Sequence, residues 1–233
     1  MELAQQMSTP HPYHYFVEKN LTQRFLDIGV PLALFFLFFF FYNFGQFNPR
    51  EMIKTSGLLS ITLLGVTLIV GPLSRLFPSL DILKAHRKFW GVTSFLVVIV
   101  HLILVYIYYY KFNLLRFVDF SHPKYPGILS GILALVILFL VTVTSNQKAL
   151  TKLSPKVWKA VQTSSYLAMA LAVAHFYLME TQNGVLVIRK LLGQITFVFA
   201  ILVIVLRLLI LFLPASPAYG VASRGEPAKK TKN

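Results

Sequence analysis

The chain has 233 residues, 56% of them hydrophobic and only 13% charged, and its 22 Lys and Arg against 8 Asp and Glu give a net charge of +14. A mean hydropathy of +0.67 is more than a soluble core of this size absorbs, which excludes a soluble enzyme, and 21 Phe with 11 Tyr exclude a disordered chain. The basic residues punctuate apolar runs, so the lipid bilayer is the expected partner and nucleic acid is not. The absence of cysteine removes disulfides, thiolate metal sites, iron–sulfur clusters and covalent CxxCH heme attachment.

A bilayer core of about 30 Å needs about 20 apolar helical residues. Six runs meet that length: 26–45, 56–77, 89–110, 127–145, 158–178 and 191–213. The first reads as a span and not as a leader, because no small-residue cleavage site follows it. Its phenylalanine stretch, 35–41, is expected to face lipid. Short connections carry Pro49, Pro78, Pro123, Pro126 and Pro155 as breakers. The expected organisation is therefore an N-terminal tail (1–25), one all-α six-helix membrane bundle (26–213) and a basic C-terminal tail (214–233).

Charge sets the orientation. The two tails and the second and fourth loops hold 14 Lys and Arg; the first, third and fifth loops hold 7; Arg207 lies inside the last span. Both termini are thus expected in the cytoplasm, with the third and fifth spans both running outward. Trp90 and Trp158 open those two spans, where indole rings suit the inner interface.

Ionisable groups are costly in lipid, so each one inside a span needs a reason. His101 falls in the third span, His175 in the fifth and Arg207 in the sixth, with Gln162, Ser164 and Ser165 in the inner half of the fifth. Fourteen residues separate Arg87 from His101 and thirteen separate Gln162 from His175, about 21 and 20 Å of helix. With inner ends level, the two imidazoles reach the same depth; counted from the outer ends, His175 lies shallower. Two such rings suit either a helix–helix hydrogen bond or the axial ligation of one b-type heme. Ala168, Ala170, Ala172 and Ala174 leave room for a flat macrocycle near the backbone. Arg207 suits either snorkelling to headgroups or an anion such as a heme propionate, a flavin phosphate or a lipid.

These residues resemble the ferric reductase-like transmembrane superfamily, and within it the MsrQ family of heme-binding subunits that serve periplasmic methionine sulfoxide reductases. Gly57, Thr67, Leu68, Pro72 and Leu73 follow the family's pattern in the second span. RKFWG leads to His101 ten residues after Gly91; TVTSN closes the fourth span; Trp158, Tyr166 and His175 stand at the family's intervals in the fifth. The resemblance covers residues 26–213. It implies a heme b at His101 and His175, with these two as the metal ligands. Superfamily members with two stacked hemes have inner histidines at the positions of Arg87 and Gln162, so one heme is expected here. His86 is one residue out of register and is expected at the interface. The vacated inner site is expected to hold FMN, FAD or a quinone, with Arg87, Gln162 and Arg207 as donors.

No GxGxxG nucleotide-binding fingerprint is present, so electrons are expected from a cytosolic flavin reductase or a membrane quinol. The resemblance implies a periplasmic molybdopterin-type reductase as acceptor and the bacterial inner membrane as the location. The third loop, with Lys111, Arg116 and Lys124, is either an ordinary solvated loop or the place of acceptor docking. Competing functions are a ferric or cupric chelate reductase on the same scaffold, and a heme-free scaffold or transporter.

Overall fold

The computed structural model describes residues 21–212, with side chains from Arg24 onward. Residues 1–20 and 213–233, which hold most of the expected N-terminal tail and all of the C-terminal one, lie outside it. Eight α-helices account for most of the described residues. They are α1 (Leu21–Leu37), α2 (Pro49–Leu76), α3 (Arg87–Leu104), α4 (Tyr125–Thr144), α5 (Gln147–Lys152), α6 (Pro155–Thr163), α7 (Ser165–Glu180) and α8 (Leu191–Phe212). This is an all-α, multi-pass membrane protein, and five stretches are long and apolar enough to cross: Arg24–Tyr42, Pro49–Leu76, Pro78–Tyr109, Tyr125–Thr144 and Leu191–Phe212.

The expected fifth span is the exception. It is built from α6 and α7, neither long enough alone, which meet at Ser164. The Ser164 hydroxyl donates to the Val161 carbonyl at 2.7 Å and the Ser165 hydroxyl to the Gln162 carbonyl at 2.6 Å. Two adjacent hydroxyls bonding three residues back compete with the helical ladder, which interrupts it here.

α2 is the central rod, far more deeply buried than the other four spans. It starts cleanly because Asn48 accepts from the Arg50 N–H and Pro49 occupies the first helical position. α3 and α8 pack along it, and α4 pairs with α7. One core cluster joins Leu64 and Leu68 of α2 to Leu138, Ala168, Met169, Ala200 and Val203. A second joins Leu58, Leu59 and Leu63 to Phe38 and Tyr42 at the end of α1.

Phe38 is therefore core, only 1% exposed, although Phe35, Phe36, Phe40 and Phe41 around it face outward. Residues Phe38–Tyr42 form a π-turn, and left-handed Phe44 and Gly45 end the segment. A second π-turn, Val105–Tyr109, follows α3. A minimal hairpin departs from the all-α expectation: β1 (Thr181–Gln182) pairs with β2 (Val185–Leu186) across Asn183 and Gly184, both at positive φ. That turn is what an Asn-Gly pair favours. Trp90 is also not at an interface but buried, with its indole N–H donating to the Leu26 carbonyl at 3.2 Å.

Candidate functional site

α3 and α7 bring His101 and His175 together in the membrane interior. Their ring centroids lie 6.4 Å apart with planes at 88°, so the offset in depth that counting from the outer ends suggested does not keep the rings apart. Each ring is held by the neighbouring helix in the same way. His101 Nδ1 donates to the Ile53 carbonyl of α2 at 2.8 Å, with the Ser56 hydroxyl 3.4 Å away. His175 Nδ1 donates to the Gly127 carbonyl of α4 at 2.7 Å. A carbonyl only accepts, so both Nδ1 atoms carry the proton and both Nε2 atoms keep the lone pair that a metal takes.

Glycine makes these contacts possible. A Cβ on Gly57 would lie 3.2 Å from the His101 ring, and one on Gly131 would lie 2.7 Å from His175 Nδ1. In both helices the accepting carbonyl stands four residues before the glycine: Ile53 and Gly57 on α2, Gly127 and Gly131 on α4. In an α-helix carbonyl i points at the amide of residue i+4. A missing Cβ at i+4 uncovers that carbonyl for the incoming ring. The G-x-x-x-G of α4 was legible in the sequence as a close-approach signal, but only the structure couples it to His175.

The expected inner group divides. Arg87 and Arg207 converge on Tyr166: Arg87 Nε donates to the Thr67 carbonyl at 3.0 Å, the Tyr166 hydroxyl donates to the Leu68 carbonyl at 2.8 Å, and the Arg207 guanidinium lies 4.9 Å from the Tyr166 ring centre. A Cβ on Gly71 would sit 3.5 Å from the Tyr166 hydroxyl and 3.6 Å from the Arg87 guanidinium. Gln162 turns elsewhere. Its amide donates to the Val141 carbonyl and to the hydroxyls of Thr144 and Ser145, at 3.1–3.2 Å, which fastens α6 to the end of α4. Among the described residues no ion pair reaches Arg87 or Arg207.

Other residues take places that spacing did not foretell. His86 is completely buried, its Nδ1 2.8 Å from Asp27 of α1, and is not at the expected interface. Ala168 and Ala172 pack into the core. Lys124 caps α7, donating to the carbonyls of Leu178, at 2.8 Å, and Thr181; Lys111 and Arg116 stay exposed. In the same loop the Ser121 hydroxyl and amide hold the Asp119 carboxyl below the usual carboxylate range.

The model of the family described as "Ferric reductase like transmembrane component" matches residues 56–173, half of the chain. The match takes in His101, Arg87 and Gln162 and stops two residues short of His175. A curated relative from Agrobacterium fabrum (strain C58), the protein-methionine-sulfoxide reductase heme-binding subunit MsrQ, is 29% identical over 133 residues, which are 57% of this chain and 60% of the relative. The matched part thus spans about three-fifths of that relative's length.

Proposed function

Because the chain belongs to the ferric reductase-like transmembrane family, we propose that it is a membrane electron carrier holding one b-type heme between His101 and His175. The observation that carries this is the pair of facing imidazoles, 6.4 Å apart, each locked by an Nδ1–carbonyl bond. Two metal–nitrogen bonds of about 2 Å together with the ring half-widths come to about 6 Å, so the spacing fits one iron. No third His, Asp or Glu joins them among the described residues. Two imidazoles are too few for a bare ion and enough for an iron already held by four porphyrin nitrogens.

A heme held by His101 and His175 would supply one-electron transfer. The chain's own task is to fix ring tautomer and orientation and to exclude water. Charge asymmetry supports six crossings, counting α6 with α7, and both termini in the cytoplasm. Electrons enter on that side from a flavin or quinol donor. The paired guanidiniums of Arg87 and Arg207 suit the phosphate of FMN or FAD, or the carbonyl oxygen of a quinone, with Gln162 bracing the same end of the bundle. The acceptor is an extracytoplasmic methionine sulfoxide reductase of the molybdopterin type, the sulfoxide reductase part being what the relative's name suggests.

The test is an absorption spectrum. Purified protein should show a Soret band that His101→Ala and His175→Ala each abolish. Colourless protein from heme-replete cells overturns the proposal, and reduction of chelated iron without any partner protein overturns the assigned acceptor.

A further inference from the structure

The buried pair of Asp27 and His86 lies outside the machinery described so far. Asp27 is 6% exposed and His86 not at all, with 2.8 Å between Oδ1 and Nδ1. The carboxylate accepts from Nδ1–H, which leaves Nε2 as the lone-pair nitrogen. That atom is buried and has no hydrogen-bond partner in the structure. The ring stacks on Trp90, centroids 5.4 Å apart at 21°, and Trp90 is itself anchored to α1 through Leu26. An unpaired polar atom in a sealed apolar setting is unfavourable, and a carboxylate-oriented imidazole with a free Nε2 is an arrangement suited to taking a proton.

His86 immediately precedes Arg87, whose guanidinium belongs to the inner cluster with Tyr166 and Arg207. His86 is thus the capping residue at the start of α3, next in the chain to a member of the electron-entry cluster. Other charged residues on the elements around His86 are Arg24 of α1, Arg75 in the last turn of α2, Asp81 and Lys84, which pair with each other at 2.6 Å, and Lys88; Arg50, Glu51 and Lys54 lie at the opposite end of α2. We propose that His86, oriented by Asp27, accepts the proton released when a hydroquinone-class donor gives an electron to the heme. This rests on the donor side of the function proposed above. The balance is simple. The donor loses one electron and one O–H or N–H proton per step, ferric iron becomes ferrous, and the proton binds Nε2 directly or through one water. A cation at that point is offset by the Asp27 carboxylate, which Arg87 and Arg207 cannot do for each other.

The experiment uses the full chain in detergent, with a soluble quinol in one arm and reduced FMN in another, and dithionite as the reference that delivers electrons alone. For Asp27→Asn and His86→Gln, the donor-driven rate of heme reduction relative to dithionite should fall by about tenfold or more. The wild-type rate should drop on acidification, since a protonated ring has no lone pair to offer, and should show a solvent isotope effect that the variants lose. A second readout needs no heme. In a Trp158→Phe background Trp90 is the sole indole, and its emission should be quenched as the stacked His86 ring gains a proton, a response absent after His86→Gln. A dyad that only braces α1 against α3 would lower thermal stability while leaving isotope effect and relative rate unchanged. That result, or a Trp90 emission indifferent to pH, overturns the inference even where the variants fail to fold. Heme that neither donor reduces refutes the hydroquinone step and leaves heme ligation standing; protein without heme refutes the function, while the emission still reports on the dyad.

Discussion

At the scale of single residues, the two histidines are set by what lies behind them. Each imidazole needs a backbone carbonyl that a side chain would otherwise cover, and the two glycines differ in how much they leave free. A methyl on Gly131 comes within 2.7 Å of His175 Nδ1, whereas one on Gly57 comes within 3.2 Å of His101. Gly131→Ala should therefore lose most of the Soret absorbance per protein, and Gly57→Ala should lose less, as a heme-to-protein ratio will show. Gln162 has a different kind of importance. Its amide serves three acceptors on α4, and interhelical hydrogen bonds in membranes contribute about 0.6 kcal/mol each. Gln162→Leu should cost about 1 to 2 kcal/mol, read as a lower thermal midpoint in detergent with the Soret band position unchanged.

At the scale of elements, the sequence periodicities found the apolar runs but not their interruptions. The run at 158–178 is long enough to cross, yet its α6 half is much less apolar than α7, and the two serine hydroxyls divide it at Ser164. The end of α7 is likewise decided by a distant residue, Lys124, whose ammonium meets two carbonyls exposed at that terminus. Lys124→Met should destabilise this end by about 1 to 2 kcal/mol, measured as faster amide exchange across the Thr181–Leu186 hairpin. If the same variant also slows electron delivery to a partner, the loop has a docking role beyond its cap.

At the scale of the whole molecule, the charge asymmetry predicts a sidedness that can be tested directly, because the chain has no cysteine of its own. Cysteine placed at Lys148 should react with a membrane-impermeant maleimide only from the cytoplasmic face, and cysteine at Arg116 only from the opposite one. Both positions are exposed in the structure. Labelling of both from one side would undo the assigned topology. Composition and the long apolar runs determined by themselves that this chain crosses the membrane repeatedly as helices, since lipid offers no partner for unsatisfied backbone groups. Spacing alone also singled out His101 and His175. The tertiary structure decided which polar residues meet. It brought Arg87 and Arg207 to Tyr166, sent Gln162 to the end of α4, and buried His86 against Asp27, an acid at the start of the first apolar run. The physical reason is that hydropathy measures the transfer of a segment into lipid, whereas a hydrogen bond between helices depends on their rotation and close approach, which no single segment encodes.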